Sequence, residues 1–208
     1  MIEQLIKQFV VFFVVVEPIS LVPMFGALTR GGSVRYRRKM ALKAAALSAS
    51  ILVVFALIGD YLMTTLSITV EAFKIGGGAL LFMIAVDMVF ARHSGLRSTT
   101  VREQEEAQYR EDISVFPLAF PLIAGPGALA TVLLMLGEMG DDHIAFLGMI
   151  AVILAVVLVV LVLLLTTPYV MRLIGRSGAD VLARLFGVVL AALASQYVID
   201  GIRATFLT

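Results

Sequence analysis

The sequence predicts an all-α polytopic membrane protein that crosses the bilayer as six transmembrane helices. Hydrophobic residues make up 61% of the 208 positions and charged residues only 15%, whereas soluble domains carry about 25% charged residues. The mean hydropathy is correspondingly high, at +1.03. Charge-free stretches such as 113–137 and 144–171 exceed the roughly 20 apolar residues that one helical crossing needs. A soluble chain of this size could not bury so much apolar surface.

Charged residues separate the apolar stretches and define the spans in order. The first stretch resembles a short secretory h-region, but Glu3 precedes Lys7 and no small-residue cleavage pattern follows. We therefore interpret it as the first span. The six spans are predicted near 5–29, 42–66, 71–91, 113–137, 144–171 and 182–206.

Residues 92–112 form the only extended polar stretch, and their mixed charges predict a solvated cytoplasmic loop. This loop divides one membrane domain into an N-terminal three-helix repeat over 1–91 and a C-terminal three-helix repeat over 113–208. Because three is an odd number, the second half must begin on the opposite side of the bilayer. Any similarity between the halves is then an inverted-topology repeat.

Two short similarities between the halves support such a repeat. Residues 17–23 and 121–127 each contain two prolines five positions apart, in the first and fourth spans. Residues 74–77 and 184–187 each place a basic residue three positions before a glycine, in the third and sixth spans.

Lys and Arg residues alone predict the orientation, because they resist translocation while acidic residues count for little. Six of them fall in the first loop, four in the third and three in the fifth, which is 13 of the 16 in the chain. The other three are Lys7, Lys74 and Arg203. We expect a multi-pass protein of the cell inner membrane with both termini outside the cytoplasm.

The two proline pairs predict that the first and fourth helices are interrupted near mid-membrane, because each proline deletes a backbone hydrogen bond and clashes with a preceding carbonyl. Glu17 lies 12 residues past Leu5, and Gly125 lies 12 past Ile113. At about 1.5 Å per residue, each break is roughly 18 Å from the start of its span. Paired breaks at equal depth in inverted halves indicate a transporter binding site; kinks that only shape packing are the alternative.

Half-helix N-termini at these breaks would offer free N–H groups and positive dipole ends to a substrate carboxylate. An ionised Glu17 at this depth is costly unless it is paired, hydrated or protonated. We interpret it as a coupling residue for protons or an acceptor for a substrate amine, with bridging of freed backbone groups as the alternative. The predicted substrate-binding residues are Glu17, Pro18, Ser20, Pro23, Ala124, Gly125, Pro126, Gly127 and Gln196.

Two further polar residues lie inside apolar stretches. Asp87, near the end of the third span, is a second coupling candidate or a hydrogen-bond partner of Arg92 or a neighbouring helix. Gln196, well inside the sixth span, either lines the site or joins two helices.

The composition excludes several classes of function. The chain has no cysteine and only two histidines, which removes thiolate and disulfide chemistry and argues against a zinc site. The net charge of +1 gives no reason to expect a nucleic-acid partner. No pairing of a nucleophile with a base is visible, so we expect no enzyme, no metal and no cofactor.

Six stretches carry a resemblance to a known family: 17–29 (EPISLVPMFGALT), 41–45 (ALKAA), 55–60 (FALIGD), 72–90 (AFKIGGGALLFMIAVDMVF), 116–132 (FPLAFPLIAGPGALATV) and 184–202 (RLFGVVLAALASQYVIDGI). In these stretches the sequence resembles the MarC family of six-helix bacterial and archaeal membrane proteins, over nearly the whole chain. The resemblance implies transport, since some members are described as transporters of small neutral amino acids such as glycine and alanine. The family's antibiotic-resistance name reflects a locus.

The chain departs from the family pattern at the first break, where Asn or Asp and then Gly are favoured. Here the residues are Glu17 and Ser20, which narrow the cavity or add a titratable group. The resemblance and the breaks together predict a secondary transporter of glycine- or alanine-like amino acids. Proton coupling and assembly into a homo-oligomer stay open. The alternatives are a carrier or exporter of a lipid-linked phosphate, metal ion or drug, and a non-transporting membrane subunit.

Overall fold

The computed structural model describes residues 2–90, 112–137, 139 and 142–206. Helices dominate these ranges, and none of them contains a strand. The predicted loop 92–112 lies outside the described residues except for Asp112 at its end, so its conformation stays a prediction.

The N-terminal half contains four helices. α1 (Ile2–Val16) and α2 (Pro18–Leu28) together form the first span. α3 (Val34–Thr65) begins after Ser33, whose hydroxyl accepts a hydrogen bond from the Tyr36 N–H in a standard N-cap. α4 (Val70–Val89) is capped by Thr69 in the same manner.

The C-terminal half begins with an irregular stretch, Ser114–Ile123, which we call the proline segment. α5 (Pro126–Gly137) continues the fourth span, and α6 (His143–Leu165) starts at an Asp142 cap. α7 (Thr167–Phe206) is divided at Gly175, whose φ of 67° and ψ of 179° suit glycine alone. Its transmembrane part is Ser177–Phe206.

Among the residues that the structure describes, five helical stretches are long and apolar enough to cross a membrane. The proline segment with α5, bent by 50°, raises the total to six if that pair is one span. The predicted all-helical membrane fold is therefore confirmed. Two boundaries were wrong: the helix of the predicted second span, 42–66, begins at Val34, and the predicted fifth span, 144–171, ends at Leu165. Pro168 cannot donate a backbone hydrogen bond and instead belongs to the first turn of α7, where that donor is not needed.

The packing pairs each span with spans of the other half. α4 packs along α7 and α3 along α6, while the first span contacts α6 and α7 and the fourth span contacts α3 and α4. Glycines let α4 and α7 approach backbone to backbone. A Cβ on Gly78 would lie 2.9 Å from the Ala194 carbonyl oxygen, one on Gly187 would lie 3.1 Å from that of Ala85, and one on Gly201 would lie 2.8 Å from that of Glu71.

Candidate functional site

The first span breaks at a single residue, Glu17. Its backbone is left-handed, with φ 49° and ψ 63°, a conformation that costs a non-glycine residue about 1–2 kcal/mol. Pro18 opens α2 at a position where its missing N–H sacrifices no hydrogen bond. The predicted interruption therefore exists, and it lies one residue before the first proline.

The side chain of Glu17 is only 2% exposed. The Ser20 hydroxyl donates a hydrogen bond to Glu17 Oε1 at 2.7 Å, and the Ser20 N–H donates to the Glu17 carbonyl at 3.2 Å. The Glu17 N–H donates to the Phe13 carbonyl at 2.8 Å and so closes the last turn of α1. A carboxyl group buried at this depth is costly and marks a candidate functional site.

Pro23, the second proline of the pair, does not interrupt the chain. α2 continues through it to Leu28, so the predicted interruption of the first span occurs at Glu17 and Pro18 alone. Pro23 removes only the hydrogen bond that would reach the Ile19 carbonyl, and the rest of the short helix is retained.

The fourth span departs further from a helix than the sequence predicts. Phe116 (φ −126°, ψ 126°) and Phe120 (φ −133°, ψ 130°) are extended, and the peptide bonds that follow them, to Pro117 and Pro121, are cis. In this stretch a carbonyl accepts a hydrogen bond from the N–H group five residues later. The Ala124 N–H, for example, donates to the Ala119 carbonyl at 2.9 Å. The helical rise used to estimate depth thus does not apply before this break.

The break itself comes at Gly125, between the proline segment and α5. A Cβ on Gly125 would lie 2.2 Å from the Pro121 carbonyl oxygen, so the fold leaves no room for a side chain. Pro126 then opens α5, and the Leu129 N–H donates to the Gly125 carbonyl at 3.0 Å. α5 has 12 residues and extends about 18 Å, roughly half of a bilayer core.

The two breaks lie close together in the interior. A Cβ on Gly127 would lie 3.4 Å from Val15 Cγ1 and 2.9 Å from Ile84 Cδ1, which places the start of α5 against the end of α1. One buried core cluster contains residues from both breaks, namely Val16, Leu21, Ile123, Ala124 and Ala128.

Two buried hydroxyls lie beside the second break. Ser48 of α3 donates to the Ala44 carbonyl at 2.8 Å and reaches the Ala119 carbonyl of the proline segment at 3.4 Å. Thr131 donates to the Gly127 carbonyl at 2.8 Å. Ser48 thus gives a carbonyl of the irregular proline segment a polar contact that lipid could not supply, whereas Thr131 bonds within the first turns of α5.

The structure brings eight of the predicted site residues to the two breaks. Glu17, Pro18, Ala124, Gly125 and Gly127 are buried, and Ser20, Pro23 and Pro126 are half-buried.

The other two candidates lie on α4 and α7. Gln196 is exposed, and its amide donates to Asp200 Oδ1 at 2.7 Å, so its hydrogen-bond partner is on its own helix rather than at a break. Asp87 is half-buried near the end of α4, one turn beyond Ile84.

Sequence reasoning missed Gln8. This α1 residue is 4% exposed, and its Oε1 has no hydrogen-bond partner among the described residues. It lines a cavity of about 120 Å³. The available signal was a glutamine inside an apolar run, four residues after Gln4 and hence on the same helix face.

An ion pair joins the start of the fourth span to α3. Asp112 accepts hydrogen bonds from Lys43 Nζ and from the Ser114 hydroxyl and N–H. The Lys43 hydrogen bond, followed by those of Ser114, holds the pKa of the Asp112 carboxyl far below its ordinary value. The described residues contain no group of three acidic or histidine side chains close enough together to bind a metal ion.

Comparison with known proteins gives consistent matches over nearly the full length. The sequence pattern described as MarC family integral membrane protein matches residues 2–206. The chain is similar to UPF0056 membrane proteins of Methanocaldococcus jannaschii (34% identity, covering 99% of this chain and 98% of the relative), Archaeoglobus fulgidus (34%, 94% and 90%) and Aquifex aeolicus (34%, 95% and 92%). No solved structure matches the chain.

Proposed function

The chain belongs to the MarC family of integral membrane proteins, and from this premise we propose that it is a secondary transporter of small neutral amino acids. The observation that carries the proposal is the meeting of two span breaks inside the bundle, one of which holds the buried carboxyl of Glu17. Irregular backbone at membrane depth is tolerated only where it is buried in protein or lines a water-filled cavity. Transporters use such breaks to bind substrate.

The chemistry at the breaks suits a zwitterion. α2 and α5 both begin at a break, so the positive ends of two helix dipoles point into the same region and favour a carboxylate. Glu17 accepts either the substrate ammonium or a coupling proton. The packing favours a small substrate, because even a methyl group on Gly127 would meet Ile84 at 2.9 Å.

Positions of matched features support an inverted repeat with an offset of 108 or 109 residues. The helix-opening prolines Pro18 and Pro126 are 108 apart, as are the break residues Glu17 and Gly125. The helix caps Ser33 and Asp142 are 109 apart.

The same offset relates residues of α4 and α7. Gly78 corresponds to Gly187 and Ala85 to Ala194 at an offset of 109, and all four lie in the close contact between these helices. Asp87 corresponds to Gln196. This register differs from the one predicted from the proline pairs, in which Pro18 matched Pro121, and we favour it because Pro18 and Pro126 each open a helix after a break.

Alternating access follows from this arrangement. Each broken span packs mainly on helices of the other half, so one half can rock against the other around a site at the breaks. The distribution of Lys and Arg supports placing both termini outside the cytoplasm, in the inner membrane.

The test is flux into liposomes that contain the purified chain. We expect saturable uptake of glycine or alanine, with a dependence on the pH gradient that Glu17→Gln abolishes, because the amide keeps an acceptor for Ser20 but cannot carry a proton. Asp60→Asn is the matched control, since Asp60 is an exposed α3 carboxylate. Absence of saturable flux would contradict the transporter, and full gradient-driven flux in Glu17→Gln would contradict the coupling role.

A further inference from the structure

A polar cavity of about 120 Å³ opens beside the N-terminal half of α1. One water molecule needs roughly 10–15 Å³ of such space, so the cavity can hold several waters or one small solute. Lys7 and Gln4 are exposed at its mouth, and the remaining walls are buried. The lining residues are Gln4, Lys7, Gln8 and Val11 of α1, Met135 of α5 and Tyr197 of α7.

Gln8 is the residue that points to a ligand. Its side chain is 4% exposed, and none of the described residues supplies a partner for Oε1. A buried acceptor without a protein partner is satisfied by whatever occupies the adjoining cavity, whether water or a ligand. A ligand N–H in the cavity would restore the missing hydrogen bond.

Lys7 supplies the complementary charge. Lys7 is an exposed residue of the cavity lining, next to Gln8 in the sequence. A ligand that satisfies both residues donates an N–H at one end and carries negative charge at the other. We propose that the cavity is a binding subsite for a small zwitterion, whose ammonium donates to Gln8 Oε1 and whose carboxylate faces Lys7.

The subsite lies on the helix face that leads to the breaks. Gln4, Gln8, Val11 and Val15 follow one another along this face, and Val15 is the residue that meets Gly127. Gln8 is nine residues before Glu17, or about 14 Å along the helix. If the proposed transport function holds, on which this step rests, the subsite receives the solute at the N-terminal side and passes it inward past Val11 and Val15.

The polar lining belongs to one end of the molecule. With the repeat offset of 108 or 109, Gln8 corresponds to Phe116 and Tyr197 corresponds to Met88. The counterparts of Gln8 and Tyr197 at the other end are therefore apolar, although Gln4 corresponds to Asp112 at the offset of 108. The subsite is therefore present at one end of the molecule only. It affects the substrate concentration for half-maximal transport only when substrate enters from the N-terminal face.

The decisive variant is Gln8→Leu, measured in the full-length protein by thermal unfolding in detergent with glycine, alanine or acetate added. Without ligand, Gln8→Leu unfolds at about the same temperature as the parent chain, because none of the described residues loses a hydrogen bond to Oε1. The glycine concentration that gives half-maximal stabilisation rises about 10- to 100-fold, as expected for one lost hydrogen bond to a charged group. Acetate, which has no ammonium, stabilises neither protein through this contact.

Two further variants keep the test decisive. Lys7→Gln, at the exposed mouth of the cavity, raises the glycine concentration for half-maximal stabilisation a few-fold. This effect disappears at high salt, which screens the charge of Lys7. Ser50→Ala is the control, since its exposed hydroxyl bonds only within α3, to the Ala46 carbonyl at 2.9 Å. A purely structural glutamine would instead give a lower unfolding temperature with unchanged glycine binding.

Flux separates this proposal from the proposed function. If the parent chain transports glycine, and the external glycine concentration for half-maximal flux is unchanged in Gln8→Leu, the subsite is overturned and the transport function stands. Glycine stabilisation that depends on Gln8, without flux, supports the subsite and overturns transport. Neither stabilisation nor flux overturns both.

Discussion

Glu17 and Gly125 break their spans by different means. Glu17 adopts a left-handed backbone and keeps a buried side chain, whereas Gly125 gives up its side chain so that the Pro121 carbonyl can approach. The sequence places both residues at breaks because each precedes a proline that begins a helix. The left-handed conformation of Glu17 could not be predicted, since the residue has no intrinsic preference for it and the surrounding packing imposes it.

Gly125→Ala tests the close approach at the second break. The added methyl would meet a backbone oxygen at 2.2 Å, and such overpacking costs typically 1–3 kcal/mol. We expect a clear fall in the thermal unfolding temperature. Gly26→Ala in α2 is the control, because its methyl would find Thr167 at an ordinary 3.5 Å. Equal unfolding temperatures for the two variants would show that the proline segment can shift.

Asp112 predicts a dependence of stability on pH. Its pKa is lowered in the folded protein from 3.8, chiefly by the hydrogen bond from Lys43. The ion pair therefore contributes its full stability above pH 3.8, and that contribution is lost as the pH falls toward the folded pKa. Because both side chains are more than 40% exposed, the effect is modest.

Thermal unfolding of Asp112→Asn beside the parent chain measures this contribution. The variant should unfold at a lower temperature near neutral pH, and the two proteins should converge as the medium is acidified below the ordinary aspartate pKa. A difference that stays constant with pH would assign the effect to the Ser114 hydrogen bonds instead of the carboxylate charge.

At the scale of elements, span lengths could be predicted because bilayer thickness sets them. The conformation of the proline segment could not be derived from the pair Pro121 and Pro126 alone. Pro117 lies four residues before Pro121, and the two together remove backbone donors from consecutive turns. Pro126, in contrast, sits at the start of α5, where its missing donor matters little.

The burial of Gln8 depends on how α1 is rotated in the bundle. The polar residues of α1, Glu3, Gln4, Lys7 and Gln8, recur at helical spacing, so its own periodicity predicts that Gln8 lies on an exposed face. That rotation is set by tertiary packing, including the contact of Val15 with Gly127. The spacing of Gln4 and Gln8 could therefore single out Gln8 as a polar residue of α1 but could not predict its burial.

Two neighbouring glycines of α4, Gly76 and Gly78, predict opposite effects of an alanine substitution on stability. A methyl on Gly76 meets nothing within 4 Å, so Gly76→Ala should stabilise α4 by about 0.5–1 kcal/mol through reduced backbone entropy. A methyl on Gly78 meets the Ala194 carbonyl at 2.9 Å, so Gly78→Ala should destabilise by about 1–3 kcal/mol. Shifts of the unfolding temperature in opposite directions would support the α4–α7 contact, and a shared direction would contradict it.

At the scale of the whole molecule, the orientation can be tested cleanly because the chain contains no cysteine. Glu3→Cys and Arg35→Cys introduce single thiols at exposed positions on opposite sides of the first span. A membrane-impermeant maleimide added to intact cells should label Glu3→Cys only, if Lys and Arg hold the first loop in the cytoplasm. Labelling of Arg35→Cys alone would invert the proposed topology.

The contact between α4 and α7 also has an evolutionary consequence. Gly78, Ala85 and Glu71 face Ala194, Gly187 and Gly201 at intervals of seven residues, in antiparallel register. Five of these six residues are glycine or alanine, so the contact is nearly self-complementary, as two-fold interfaces between identical subunits are. On the proposed inverted repeat, this surface is the one through which two copies of a three-span unit would have paired before duplication and fusion joined them, leaving each half free to acquire its own break residue.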